Sequence, residues 1–471
     1  MKIKEISIQN YKSLENVKFV PNERISILIG KNNTGKSNVI DALAFLSDVI
    51  RLGPDDALKR RGGYSEIVFS KEPQRRISFA VELTFSEDNM KTLSDTLQPK
   101  AVSFSEFREQ FSSKVVYSAI LGDREEVRTL LEEEIHIQFK LPMAVEAQQI
   151  VYAKGSWKEG VYQTDLISGI HGEEFKSENW SLQLSGGVSP ASSILNVQTK
   201  QPEAYLLFMI RKFFLSFTKL DPVRTSEEET TVKGQTRLSP NAENLLQLLN
   251  TVALSKRETF DSIVKNVKKV ISEISEVRTQ LKPESSIIYL SMTERSPQRE
   301  IEFLWKHVAS GTKEVVYLIT LLYTAERGSV ILIEESELHL HGEAISSICT
   351  IMEEISKSDE KQIIVTTHSP VIVDLVSFEK LFVTLREEGA TKIVPLGEYE
   401  NVDETLLQSG VPKSWILISR TPRFILLVEG RDDNKIWRRF LKRKGMDPEQ
   451  NRINVVSGVR DGGITEAIAA A

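Results

Sequence analysis

The residues from Gly30 to Ser37 set the first chemical constraint. The stretch ERISILIGKNNTGKSNVIDALAFL runs from an apolar strand, Ile25–Ile29, through a polar loop into an apolar-periodic helix, with the spacing G-x-x-x-x-G-K-S. The glycines let consecutive backbone N–H groups turn inward around phosphate oxygens, and the helix N-terminus adds partial positive charge. The cradle comprises Gly30, Lys31, Asn32, Asn33, Thr34, Gly35, Lys36, Ser37 and Asn38. Lys36 would reach the β- and γ-phosphates of a bound nucleotide, and the Ser37 hydroxyl would ligate Mg²⁺.

Such a loop needs an acidic partner on a neighbouring strand. In RGSVILIEESELHLH the buried-strand run Val330–Ile333 ends on Glu334 and Glu335. Sites in parallel sheets lie at that C-terminal end. Glu334 would hold Mg²⁺ with Ser37, and Glu335 would orient the water that attacks the γ-phosphate, because phosphoryl transfer needs a positioned nucleophile more than covalent help. A third run, KQIIVTTHSP, ends its strand Ile363–Val365 on Thr366, Thr367 and His368. One helix, Ala344 to about Lys357, separates it from the acidic strand, which places His368 beside the γ-phosphate. Upstream, Ser310 and Gly311 open a long apolar helix whose N–H groups form a second anion-facing end. Near the end of the chain, FILLVEGRDDNKIW delivers Glu429, Gly430 and Asp433 after another apolar strand, and a helix carrying Arg438, Arg439, Lys442, Arg443 and Lys444 follows. Strands that deliver an acidic residue into a glycine turn often hold Mg²⁺, and the basic face is either a solvated surface or a contact for phosphates.

The chain that must position these groups has 471 residues, enough for two or three domains at roughly 150 residues each. A net charge of −6 argues against wholesale wrapping by nucleic acid and leaves room for a local basic groove. The single cysteine, Cys349, excludes an intramolecular disulfide and cysteine-rich zinc modules, and reads as a small buried filler. The N-terminus alternates apolar and polar residues in place of a signal core, and no run reaches the roughly 18 apolar residues of a membrane span. A cytoplasmic protein without membrane contact is expected. Residues 86–294 hold few motifs: an acidic stretch read as helical, REEVRTLLEEE, and a polar Gly/Ser-bearing segment around 154–190. Phe260, Ile263, Val267, Val270, Ile274, Val277 and Leu281 follow a 3-4-3-4 spacing that predicts one helical stripe, for packing within the domain or for a short arm or dimer contact. Residues Trp415–Arg423 read as a linker helix.

In this order, with a long insertion, these elements resemble the ATP-binding-cassette ATPases of the SMC/RecF/OLD (overcoming lysogenisation defect) group. The resemblance covers about 1–85 and 295–415: IKEISIQNYKSLENVKF is similar to the opening strand pair, GKNNTGKSN to the P-loop, VASGTKE to the signature and IVTTHSP to the histidine switch. It implies an α/β, ABC-type P-loop ATPase head formed by residues 1–85 and 295–415, a helical dimerisation or arm insertion over 86–294, and ATP with Mg²⁺ as cofactors. In that group two nucleotides lie between two heads, so Ser310 and Gly311 would complete a partner's site in a homodimer or higher oligomer. Arg224, in KLDPVRTS, resembles an arginine that OLD-like ATPases carry before this helical region. Two departures stand out: Glu334 replaces the cassette's usual aspartate, as in OLD-like members, and RRGGYSEIVF stands where a glutamine loop is common. Slow, switch-like hydrolysis is the expectation.

Val428-Glu429-Gly430-x-x-Asp433 is similar to the opening motif of Toprim domains, which makes 416–471 the start of an α/β Toprim domain with Glu429 and Asp433 at a Mg²⁺ or Mn²⁺ site. The second half of that site, a D-x-D on a later strand, is expected beyond residue 471; Asp461, before Gly-Gly, reads as a turn. Together these resemblances imply ATP-controlled DNA cleavage in prokaryotic defence against phage, with a separate partner protein or a retron-type RNA–DNA element in some relatives. Two rivals are a sensor or scaffold ATPase that holds a separate effector, and a RecF-like DNA repair ATPase.

Overall fold

The computed structural model describes residues 1–97, 113–124, 127–140, 148–158, 161–170, 202–396, 424–428, 431–446 and 453–457, apart from 283, 286, 297, 298, 338 and 445. Strands β1 (Lys2–Tyr11), β2 (Leu14–Phe19) and β3 (Ile25–Ile29) precede helix α1 (Lys36–Leu52) and the short α2 (Pro54–Lys59) and α3 (Tyr64–Ile67). Next come β4 (Ile77–Thr84), α4 (Glu87–Leu97), and the long strands β5 (Ser113–Arg124), β6 (Val127–Lys140), β7 (Gln148–Lys158) and β8 (Val161–Ile170). Helix α5 (Pro202–Leu215) leads to β9 (Thr218–Leu220), β10 (Glu229–Thr231), α6 (Leu245–Ser255) and α7 (Arg257–Val270). Strands β11 (Ile274–Lys282), β12 (Ile287–Ser296) and β13 (Arg299–Leu304) precede α8 (Ser310–Thr324), β14 (Val330–Glu334), α9 (Gly342–Ser358), β15 (Gln362–Thr366) and α10 (Pro370–Leu375). A hairpin of β16 (Leu381–Glu387) and β17 (Ala390–Pro395) follows, and then β18 (Phe424–Val428), α11 (Arg431–Arg443) and β19 (Ile453–Ser457).

Two sheets organise the larger part, and α1 lies between them. The first is antiparallel, in the order β2-β1-β4-β5-β6-β7-β8. In β4 buried and half-buried residues alternate along the whole strand, as expected of a sheet with one face on the core. The second runs β17-β16-β3-β15-β14-β9, with β16, β3, β15, β14 and β9 mutually parallel and only β17 reversed. Here β3 (ISILI), β14 (VILIE) and β15 (QIIVT) are buried at every position, because both faces are covered. On one face Leu28, Val330, Leu332 and Ile364 pack with α1 and the first sheet; on the other Ile27, Ile331, Ile333 and Val365 pack with α6 to α9. Buried Gln362 ties the two sheets, since its amide exchanges two hydrogen bonds of 2.9 Å with the Ile3 backbone and donates to Asn22 O at 2.8 Å. This is a mixed α/β fold.

Two readings of the sequence give way here. The stripe from Phe260 to Leu281 is not one helix. Helix α7 stops at Val270, and Ile274, Val277 and Leu281 lie on β11, paired antiparallel with β12. Phe260, Ile263, Val267, Ile274 and Val277 are buried in their own domain's core, whereas Leu281 is exposed. Apolar residues three or four apart serve a helix, and a strand bent by a register shift buries the same spacing, as between Ile274 and Glu276. The acidic stretch REEVRTLLEEE is likewise not helical: its residues from Val127 onward form β6, paired with β5 and β7. Pairing on both edges overrides the helix preference of its glutamates. The linker read over Trp415–Arg423 and residues 159–160 and 171–190 of the polar segment around 154–190 lie outside the described residues; 154–158 lie on β7 and 161–170 on β8.

Beyond the linker, β18 and β19 pair in parallel from Phe424↔Ile453 to Val428↔Ser457, with α11 between them in sequence. Val428, Leu441 and Val455 form the buried core of this βαβ unit.

Candidate nucleotide site

Because β3, β14 and β15 are parallel and adjacent, with Thr366 opposite both Leu28 and Glu334, their C-terminal ends open onto one edge. That edge holds the loop Gly30–Ser37, Glu334 and Glu335, and Thr366 to His368. The ligand crevice of an open α/β sheet lies there.

The loop is buttressed by groups that no local motif announces. Gly30 sits against β16: a Cβ there would lie 2.4 Å from Thr384 Oγ1 and 2.5 Å from Thr384 O. Gly35 adopts φ +99°, and its Cβ would meet Thr391 Oγ1 at 2.0 Å and Ser13 Oγ at 2.7 Å. Only glycine fits both positions without moving the hairpin. Thr34 Oγ1 bonds Thr384 Oγ1 at 2.7 Å, Thr391 Oγ1 donates to Thr34 O at 2.9 Å, and Asn38 Nδ2 donates to Ser13 Oγ at 2.7 Å. Arg386 donates to Asn33 O and Oδ1, fixing that residue at φ 65°. Lys31, Asn32 and Ser37 remain exposed toward the crevice edge.

Lys36 is buried and folds back on the loop, its Nζ donating to Gly30 O and Lys31 O at 2.8 Å each. Burial pushes its ammonium down to about 8, against the upward pull of Glu335 and Glu337. Both carboxylates are therefore near enough to act on the lysine's charge. Glu335 adopts φ 51°, uncommon outside glycine, and its N–H donates to Thr366 O at 3.0 Å. A non-glycine residue held left-handed at a strand end is the kind of local strain that clusters at functional sites. Glu334 is 6 % exposed and pairs with Lys219 Nζ at 2.8 Å; Lys219 also binds Asp221 at 2.7 Å. Its side chain shares the α1 face with Leu332, so it points toward the helix that begins with Lys36 and Ser37.

Glu337 joins two of these strands. Its Oε1 accepts from His368 N at 2.5 Å and Ser369 N at 3.0 Å, which ties the segment after β15 to the loop after β14. Partial desolvation and then nearby Lys36 hold the His368 imidazole below its ordinary range, so it is neutral at pH 7 and available as an acceptor. Arg224 is almost fully enclosed and links α8 to β14, pairing with Glu314 and donating to Glu334 O at 2.6 Å. The sequence gives weak notice of Arg224 and none of Lys219 or Glu337, because their partners lie on distant strands and helices.

Ser310 is the first residue of α8 and Ala309 is its N-cap, so the hydroxyl does not cap the helix. Ser310 is exposed; Gly311 lies so close to His339 O that a Cβ would meet it at 2.8 Å. Glu429 and Gly430 lie outside the described residues, and Asp433 is exposed in the first turn of α11. Arg439, Lys442 and Arg443 are exposed on that helix and Arg438 is half-buried, interleaved with exposed Ile436, Trp437 and Phe440. Cys349 is half-buried, and burial pushes its thiol up to about 12.

RRGGYSEIVF serves the back of α1. Arg61 Nε pairs with Asp41 at 3.0 Å and its NH1 with Asp48 at 3.0 Å, while Tyr11 OH donates to Asp41 at 2.7 Å and Lys12 Nζ approaches it at 2.5 Å. Burial pushes the Asp41 carboxyl up, but Arg61, Lys12 and the Tyr11 hydrogen bond more than offset it and bring it down to about 2. A folded pKa below the unfolded value of 3.8 stabilises the fold above about pH 4, and the gain is lost as pH falls toward 2. Asp41→Asn is expected to cost about 2 kcal/mol at pH 7. In denaturant titrations the gap from wild type should shrink as pH falls from about 4 toward 2; a gap independent of pH would exclude this account.

Residues 1–373 match the family of the AAA ATPase domain. The chain belongs to that family. Nothing among curated proteins matches it. Solved structures similar to this AAA ATPase include the Smc head bound to the C-winged helix domain of ScpA (TM-score 0.42, 14 % identity, 84 % of this chain and 98 % of that one). The SMC head domain from Thermotoga maritima overlaps with TM-score 0.36 and 14 % identity, covering 84 % of this chain and 99 % of that one. A third is the Smc head domain with an extended coiled coil bound to the C-terminal domain of ScpA derived from Pyrococcus furiosus, at TM-score 0.36 and 12 % identity, covering 83 % and 96 %. As a family member the chain is an ATPase, which implies ATP and Mg²⁺. The residues present fit that pair: a buried carboxylate, Glu334, faces the helix that carries Ser37, and Mg²⁺ takes one or two such ligands plus phosphate oxygens and water. No helix among the described residues is long and apolar enough to cross a membrane.

Proposed function

We propose that this AAA ATPase is an OLD-like head whose ATP cycle controls Mg²⁺-dependent DNA cleavage by a C-terminal Toprim domain, in prokaryotic defence against phage. The observation that carries the ATP cycle is the meeting of Lys36, Glu334, Glu335 and His368 at one edge of a parallel sheet. In this reading Lys36 leaves the loop carbonyls for the β- and γ-phosphates. Ser37 and Glu334 would hold Mg²⁺, whose charge would offset that on the phosphates. Glu335 takes the proton of the attacking water, and neutral His368 accepts a hydrogen bond beside the γ-phosphate. Exposed Ser310 and Gly311 at the start of α8 complete the site of a second head, so ATP holds a homodimer together. Arg224, bonded to both α8 and β14, then passes the state of one site to the surface that faces the partner.

The nuclease half rests on the motif Val428-Glu429-Gly430-x-x-Asp433 and on the βαβ unit around it. Glu429 would hold the metal, Mg²⁺ or Mn²⁺, together with Asp433, and the exposed cations of α11 would contact the DNA backbone. A separate defence protein or a retron RNA–DNA element would supply the trigger. Glu429→Ala, made in the product of the native gene, is expected to leave ATP hydrolysis unchanged and to remove Mg²⁺- or Mn²⁺-dependent cleavage of plasmid DNA. Cleavage that survives the substitution refutes the Toprim assignment. An intact ATPase that never cleaves moves the function to a sensor that holds a separate effector.

A further inference from the structure

We infer that a cavity between α1 and the β9 edge binds a small phosphorylated anion, up to the size of a mononucleotide, at a site distinct from the P-loop. Its volume of about 530 Å³ falls within the usual range of small-molecule sites, about 300–1,000 Å³. Five cations line it: Arg51, Arg60, Arg61, Lys219 and Arg237. They face three lining carboxylates, Asp41, Asp48 and Asp221, and just outside the lining Glu334 pairs with Lys219 and Glu326 with Arg237. All three carboxylates are already engaged: Asp41 by Tyr11, Lys12 and Arg61, Asp48 by Arg51 and Arg61, and Asp221 by Lys219.

The remaining cations are under-compensated. Exposed Arg60 has no ion pair within the described residues, and Arg237 meets only Glu326, at 3.5 Å. Burial pulls the Arg237 guanidinium below its ordinary range, and the like charge of Arg51 adds to the effect. A phosphate seated between two guanidinium groups would remove that repulsion and take their planar forks in pairs. The cavity runs along α1 from Asp41 to Arg51, so at 1.5 Å rise per residue its arginine end lies about 22 Å from Lys36 and its Asp41 end about 7.5 Å. The occupant would nevertheless reach the catalytic edge through Lys219, whose ammonium is shared between Asp221 and Glu334. An anion that draws Lys219 toward the cavity frees Glu334, so anion binding and Mg²⁺–ATP binding are coupled in both directions. This coupling rests on the role proposed for Glu334; binding in the cavity does not.

The test uses the full chain carrying Lys36→Ala, which disables the P-loop, titrated by calorimetry with inorganic tripolyphosphate. Saturable binding of one equivalent per chain is expected, weakened at least tenfold by adding Arg60→Gln or Arg237→Gln. Arg60 is exposed, and only its backbone caps α2, so its variant keeps the fold; a melting temperature equal to the parent's confirms that. Should Arg237→Gln melt lower, the Arg60→Gln titration alone decides. Absent binding, or binding unchanged in the folded arginine variants, overturns the inference. A parallel ATP titration of wild type and Lys36→Ala separates the two claims, because ATP affinity lost in Lys36→Ala upholds the P-loop reading whatever the cavity does.

Discussion

Replacing Lys36 by alanine is expected to weaken ATP binding by at least about a hundredfold and to abolish hydrolysis, while the circular dichroism spectrum stays that of wild type. Hydrogen bonds between a charged donor and phosphate contribute about 1.5–3 kcal/mol each, so two such bonds to the β- and γ-phosphates account for a factor of a hundred or more. The cost to the fold is smaller. Without nucleotide Lys36 binds only Gly30 O and Lys31 O, two carbonyls on a loop already held by Thr34, Thr384 and Thr391. A pH dependence separates this role from a structural one. Burial leaves the free lysine at about 8, while phosphates favour its charged form, so binding above pH 8 must take up a proton. Wild-type affinity should fall toward that of the variant between pH 7.5 and pH 9.5, and the variant's affinity should stay flat. Parallel curves would mean that Lys36 does not touch the phosphates.

Much of this site is legible in the sequence because its chemistry sits at ends of strands that announce themselves. The runs before Gly30, Glu334 and Thr366 are continuous and apolar, and three such strands in one parallel sheet leave their C-terminal ends no other place to meet. What surrounds those ends is not legible. Lys219 reaches Glu334, and Arg224 reaches Glu314, only after the chain has made more than one full crossing of the domain, and nothing near either cation marks the partner. The loop's glycines show the same limit: their motif predicts inward N–H groups, but the necessity of Gly35 comes from Thr391 on β17 and Ser13 in the turn between β1 and β2. The stripe from Phe260 to Leu281 misleads for a related reason. Burial at Ile274 and Val277 is real, yet it belongs to a strand whose register β12 sets. Spacing reports which residues are buried and leaves the backbone that buries them open.

Glu335→Gln is expected to retain ATP with Mg²⁺ at near wild-type affinity and to lower hydrolysis by about a hundred- to a thousandfold, within the range for loss of a general base. The two carboxylates at the end of β14 differ in surroundings, and that difference makes the prediction specific. Glu334 is buried and held by Lys219, so its amide variant breaks an ion pair and removes a metal ligand, and the Mg²⁺ dependence of binding should go with it. Glu335 is half-buried and fixed by its backbone: its N–H is bound to Thr366 O, its φ is 51°, and glutamine keeps both the shape and that conformation. Removing its charge takes away the acceptor for the proton of water and leaves the phosphate contacts in place. If the heads close around ATP, the variant should accumulate as an ATP-dependent dimer in sedimentation, because closure is no longer followed by hydrolysis. Ser310→Arg, at an exposed position that the dimer would cover, should return it to the monomer. Hydrolysis within tenfold of wild type would exclude Glu335 as the base. Loss of ATP affinity in Glu335→Gln would place it among the ligands of the metal, and the roles of the two glutamates would have to be exchanged.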